Sequence, residues 1–229
     1  MQNILRFFII SLFCLIGIYS VNAQVSKQKT DTVVKTAFRG LVLEIDLASI
    51  ASNFIYKGEL YGYEAGISAN LKQKYFPTIE IGFAGANKTS IDALNFKTSG
   101  LYGRLGVDFN LIKPKKDKEP THNIFFAGAR IGFSPFSYSY KNAVVENNYW
   151  GTQISQNYND ITTTKVWIEV VAGMRVEVLK NIYMGWTVRN KKLLGTDILG
   201  EIDPYYIPGF GKKSDGGNWG VNYAIGYKF

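Results

Sequence analysis

The 229 residues carry 26 Lys and Arg against 18 Asp and Glu, a formal charge of +8, with one histidine and one cysteine. So few thiols and imidazoles exclude a disulfide framework and the common zinc sites. No stretch beyond the N-terminal segment approaches the roughly 18 consecutive apolar residues of a spanning helix.

The first element is a removable one. Met1 to Arg6 holds one positive charge, Phe7 to Ile18 is apolar, and Val21-Asn22-Ala23 offers a cleavage site, so residues 1–23 read as a signal peptide. Cys14 lies inside that run and leaves with it. Arg6 is its only charged side chain, so the charge falls from +8 to +7. A basic chain suits nucleic acid or an anionic surface, and export turns that expectation from nucleic acid toward lipopolysaccharide or another anionic lipid. Residues 24–36 are polar and aperiodic and form a short leader; residues 37–229 form one domain.

Period-two alternation then predicts strands. In the first, Leu41, Leu43, Ile45 and Leu47 oppose Glu44, Asp46 and Ala48; in the second, Tyr61 to Ala69 oppose Gly62, Glu64 and Gly66. The third sets Tyr75, Ile79, Ile81 and Phe83 against Thr78 and Glu80, and after a polar loop from Asn87 to Thr98 the fourth sets Leu101, Leu105 and Phe109 against Arg104 and Asp108. A charged connection from Lys113 to Thr121 leads to the fifth strand, with Phe125, Ile131 and Phe133 opposite Arg130. An Asn- and Tyr-rich loop is expected over about 138–163. The sixth strand then sets Val166, Ile168 and Val170 against Trp167, Glu169, Arg175 and Glu177. Lys180-Asn181 turns into the seventh, where Ile182, Met184, Trp186 and Val188 oppose Tyr183 and Arg189, and a second long loop spans about 195–217.

The last strand alternates to the end of the chain, with Trp219, Val221, Tyr223, Ile225, Tyr227 and Phe229 against Gly220, Asn222, Ala224, Gly226 and Lys228. At about 10 residues it has the length a tilted strand needs to cross a bilayer. Here the chain resembles the Gram-negative outer-membrane β-barrel proteins, among them their uncharacterised families. That resemblance implies an all-β, up-and-down transmembrane barrel of about eight strands. It also implies that Tyr227 and Phe229 form an assembly signal for the barrel-assembly machinery, and that 24–36 is a periplasmic leader. The two long loops then point outward and the Lys180-Asn181 turn inward.

Alternation alone fits equally a soluble exported barrel with an apolar ligand inside. Two features favour the membrane barrel. Glycines crowd the polar face, as the narrow interior of a small barrel requires. Arginines 104, 130, 175 and 189 share that face with Glu44, Asp46, Glu64, Glu80, Asp108, Glu169 and Glu177, whereas most lysines fall in loops. Arginine is suited to bidentate carboxylate pairing where water is scarce, so these residues are expected to form a lumen charge network that fills the interior. Aromatics near strand ends fit interfacial girdles, though ordinary β-propensity gives the same pattern.

A lipid A-modifying enzyme would need a histidine at the outer rim, and His122 falls in the turn assigned to the opposite side. The chain is therefore expected to be non-enzymatic, without metal or cofactor, and with no nucleic-acid partner. Surface recognition of lipid, glycan or protein is expected from the loop residues Tyr149, Trp150, Tyr205, Tyr206, Phe210, Lys212 and Lys213. Pro208 and its flanking glycines would present Phe210 at a tip; a loop folded down over the barrel mouth is the alternative.

Overall fold

The computed structural model describes residues 37–90, 93–112, 123–146, 153–195, 202–213 and 217–229. The expected signal peptide and leader, His122, Tyr149 and Trp150 lie outside these residues.

Eight strands close into an antiparallel barrel: β1 (Phe38–Asp46), β2 (Leu60–Leu71), β3 (Tyr75–Thr89), β4 (Asn95–Asn110), β5 (Ile124–Glu146), β6 (Gln153–Leu179), β7 (Ile182–Leu194) and β10 (Asn218–Lys228). Each strand pairs with its neighbours in the chain, and β10 returns to β1, with Val42 opposite Lys228 and Asp46 opposite Ala224. The lone helix among the described residues, α1 (Leu47–Ile55), follows β1, and a small hairpin, β8 (Tyr206–Ile207) with β9 (Gly211–Lys212), interrupts the connection from β7 to β10.

The two faces of the wall are sorted as the alternation predicts. In β3 Ile81 is 66% exposed while Glu80 is 6%, and in β4 Leu101 is 66% exposed while Arg104 is 2%. The apolar side chains therefore face out and the charged ones face in, the reverse of a soluble barrel. A rival with an apolar ligand inside would need the opposite sorting. Glycine on the inner face makes room for the large lumen side chains: a Cβ at Gly132 would overlap the Trp167 ring, and one at Gly82 the Tyr102 ring.

Three stretches depart from the sequence expectation. First, β1 stops at Asp46, and Leu47 and Ala48 belong to α1. Asp46 caps the helix, accepting from Ala48 N at 3.0 Å and from Ser49 Oγ at 2.6 Å. Leu47, Ile50 and Phe54 fall on one side of the helix and Ser49 and Ser52 on the other, and none of its residues is buried.

Second, the expected loop over 138–163 is largely strand. β5 and β6 run on together, with register irregularities at Tyr138, Tyr140 and Ala143. The strand's alternation continues, but the aromatics shift to its inward positions: Phe133 points out, whereas Phe136, Tyr138 and Tyr140, which follow Ser134 at every second residue, point in and are buried. The loop expected over 87–98 is likewise mostly strand, β3 continuing to Thr89 and β4 starting at Asn95.

Third, residues 202–213 of the loop expected over 195–217 fold back into the barrel. Ile207 and Phe210 have no exposed surface, and Phe210 meets Trp167 edge to face at 6.0 Å between ring centroids. The lumen thus has an aromatic layer beneath the hairpin, charges in the middle, and Phe76, Ile124, Phe126 and Val171 packed at the end with the tight turns.

Candidate functional site: the lumen and its cap

The inner face brings the four expected arginines onto one continuous ladder. At its tight-turn end Arg175 Nε lies 2.6 Å from Glu44, and its Nη2 reaches Asp108 at 3.3 Å. Arg130 joins Asp108 at 3.1 Å to Glu80 at 2.7 Å. Arg189 then links Glu80 at 2.6 Å, Glu64 at 3.2 Å and Glu169 at 3.3 Å. Arg104 closes the upper rung onto Glu64 at 2.7 Å, Glu80 at 3.1 Å and Glu169 at 2.8 Å. Seven strands contribute, β1 to β7, which is why no local sequence window reveals the partners: Glu64 and Arg189 are 125 residues apart.

Two expected members play other parts. Asp46 is 4% exposed and faces the lumen, but neutral donors hold it: the α1 cap, Tyr223 N at 3.2 Å, and Asn222 Nδ2. It sits at the end of β1, where a carboxylate can begin a helix. Glu177 lies at the far end, where its Oε1 accepts Asn181 N at 2.9 Å and braces the β6–β7 turn.

Three interior residues were not singled out as site candidates. Tyr102 donates to Glu64 at 2.7 Å, Trp167 Nε1 donates to Glu169 at 2.6 Å, and Lys191 is 8% exposed. Lys191 stands two residues beyond Arg189, so the same period-two rule puts it inside. Its ammonium donates to the carbonyl oxygens of Gly209 at 2.8 Å and Phe210 at 3.3 Å. Arg104 Nη2 also donates to Gly209, at 2.7 Å. The ladder therefore ends on the tip of the β8–β9 hairpin.

Little space is left in the ladder. One cavity between Glu44, Glu80, Arg130 and Arg175, and another between Val42, Asn70, Phe76 and Lys228, measure about 30 Å³ each, room for on the order of one or two waters. Among the described residues no group of three His, Cys, Asp or Glu could hold a metal ion. No described helix is long and apolar enough to cross a membrane, which says nothing of strands.

Residues 4–229 match a domain of unknown function, DUF6048. The chain belongs to that family. No curated protein matches this DUF6048 chain. Among solved structures it is similar to the N-terminal β-barrel domain of OprF from Pseudomonas aeruginosa, at 10% identity over 84% of this chain and 99% of that one, with a TM-score of 0.41. It is similar to Ail of Yersinia pestis, solved with the heparin analogue sucrose octasulfate, at 8% identity over 83% and 94%, with a TM-score of 0.39. It is also similar to Neisserial surface protein A, at 12% identity over 84% and 99%, with a TM-score of 0.39.

The surface candidates of this DUF6048 barrel separate into two groups. Phe210, expected at an exposed tip, is buried: Gly209 adopts φ +78° and turns the hairpin so that Phe210 enters the mouth over Trp167. Tyr206 is half-buried beside it, and burial pushes its hydroxyl up to about 12. Tyr205 packs edge to face on Phe96 at 5.8 Å, while Lys212 stays exposed with its ammonium 5.2 Å above the Tyr205 ring. Lys213 pairs with Asp203 at 2.5 Å. The inner aromatics of β5 tie this strap down, Tyr138 donating to Ile202 O and Tyr140 to Asp203 O at 2.8 Å. At the other end of the barrel Tyr227 and Phe229 are exposed and meet edge to face at 4.9 Å, and Phe229 N donates to Leu41 O at 2.9 Å, closing the ring.

Proposed function

We propose that this protein is a non-enzymatic barrel of the Gram-negative outer membrane with a structural or surface-interaction role, exported by a cleaved signal over residues 1–23. The observation that carries the reading is the inverted polarity of the wall. Leu41, Leu105, Ile131 and Val170 stand exposed on different strands, while Arg104, Arg130, Arg175 and Arg189 are buried in ion pairs. An apolar surface that passes around a whole barrel is far larger than the few hundred Å² a soluble monomer tolerates, and lipid is the solvent that suits it.

The filled lumen favours a static role over conduction. Four buried guanidiniums and their carboxylates occupy the path, and the hairpin covers its mouth. Exposed cations at the loop end, Lys57, Lys88, Lys141 and Lys212 among them, supply contacts for anionic lipid or a surface partner. The C-terminal Tyr227 and Phe229 serve the barrel-assembly machinery in this reading.

Separation of inner and outer membranes from an expressing Gram-negative cell tests it. The protein is expected in the outer-membrane fraction, with altered gel mobility when left unheated in detergent. Recovery in the soluble periplasm contradicts it.

A further inference from the structure

The wall has a gap. β1 ends opposite Ala224, whereas β10 continues back to Asn218 and β2 continues back to Leu60, so their upper halves have no strand between them. Tyr223 N points across that gap to Asp46 Oδ1, and strand alternation turns the N–H groups of Val221 and Trp219 the same way. On the opposite edge Gly62 N donates to Asn53 Oδ1 of α1 at 3.0 Å. Side chains of α1 and its cap thus stand in for a strand at these two points only. The helix that fills the opening buries none of its residues, and Phe54 is 80% exposed.

Behind α1 lies a cavity of about 300 Å³. It is lined by both faces of the flanking strands: Trp219 and Val221, which point outward, and Asn218, Gly220 and Asn222, which point inward. An unpaired edge offers the backbone of every residue, and the cavity touches five consecutive ones. The cavity therefore runs along the free edge of β10, between it and Ala48, Ser49, Ser52 and Tyr56, and Trp219 beside it is 71% exposed on the lipid-facing side.

Its charges are already consumed. Asp46 accepts from Ala48 N, Ser49, Asn222 and Tyr223 N; Glu64 is held by Arg104, Arg189 and Tyr102; Lys191 donates to two hairpin carbonyls. The groups left over are neutral. Tyr56 and Tyr206 line the cavity with hydroxyls that have no hydrogen-bond partner among the described residues, and the edge of β10 adds backbone donors and acceptors. Uncharged donors and acceptors beside an indole ring match a hydroxyl-rich group. We propose that the gap between β2 and β10 is a lateral binding site for the neutral, hydroxyl-rich headgroup of a membrane amphiphile, with its apolar tail lying along the outer wall.

The test uses the barrel in phospholipid nanodiscs with a dodecyl maltoside that carries a photoreactive diazirine on its sugar. Cross-links are expected within residues 47–56 and 218–223, removed by excess dodecyl maltoside and unchanged by free maltose. Filling the cavity with Ser52→Trp, or more mildly Ala48→Leu, is expected to cut that labelling at least tenfold while unheated gel mobility is retained. Labelling spread evenly over all outward strands, or unaltered by a folded cavity-filling variant, overturns the site. Equal competition by free maltose overturns the membrane source, and equal labelling by an anionic probe of the same chain length overturns the neutral headgroup.

Discussion

Arg104, a wall residue of β4, donates through Nη2 to the carbonyl oxygen of Gly209 at 2.7 Å, so the charge ladder and the hairpin that covers it are one mechanical unit. The same guanidinium holds three carboxylates, from β2, β3 and β6. Removing the hairpin would leave two cations, Arg104 and Lys191, each short of an acceptor.

The ladder should be costly to interrupt. Arg130→Leu leaves Glu80 and Asp108 buried with one cation fewer, and breaking a buried pair on one side costs about 3 kcal/mol or more. Arg175→Leu is expected to behave alike, because it strips Asp108 and Glu44. Lys57→Leu, on an exposed turn, is expected to change stability by less than about 1 kcal/mol. Urea unfolding in lipid vesicles compares the three.

Phe210→Ala should destabilise the barrel. The ring is fully buried against Trp167, and truncating such a side chain costs about 3–5 kcal/mol. Thermal unfolding in detergent checks this, and a variant as stable as the parent would mean that the hairpin spends its time outside the mouth.

Gly209→Val addresses the hairpin tip by a different route. Gly209 lies at φ +78°, and a Cβ there would press on the Tyr102 ring. The hairpin is expected to leave the mouth, so that protease cuts between Pro204 and Lys213 while the barrel itself stays resistant.

Much of this architecture is legible in the chain because strands repeat every two residues and the sorting of Ile79, Ile81 and Phe83 from Thr78 and Glu80 needs no tertiary knowledge. The helix α1 is hidden because Leu47 and Ala48 prolong the alternation of β1, and nine residues give only two full turns of helical spacing. The long ends of β5 and β6 are hidden because the aromatic residues move from outward positions such as Phe133 to the inward positions of Phe136, Tyr138 and Tyr140, a change of phase that reads as a break in the pattern although the strand's alternation continues. Their cause is non-local: the hairpin supplies an apolar partner inside the mouth. Phe210 looks like a presented tip for the same reason, since Pro208 and Gly209 suit a turn whichever way it folds.

The C-terminal residue is accessible and is expected to matter for assembly rather than for stability. Phe229 is 72% exposed, and its side chain contacts Tyr227 alone among the described aromatic rings. Phe229→Ala is expected to lower the amount recovered in outer membranes while leaving the unfolding midpoint of refolded protein within about 1 kcal/mol of the parent. Quantitative blotting of membrane fractions beside urea titration separates the two effects.

Nitroxide accessibility tests the inverted polarity of the wall. Single cysteines at Leu105, Ile131 and Val170, placed in a chain lacking Cys14, are labelled and the barrel is reconstituted in phospholipid. All three side chains point outward from the sheet. A lipid-facing wall gives strong relaxation by oxygen, which concentrates in lipid, and weak relaxation by a water-soluble nickel chelate at each position; strong relaxation by the chelate at all three would mean that the apolar face is not in lipid.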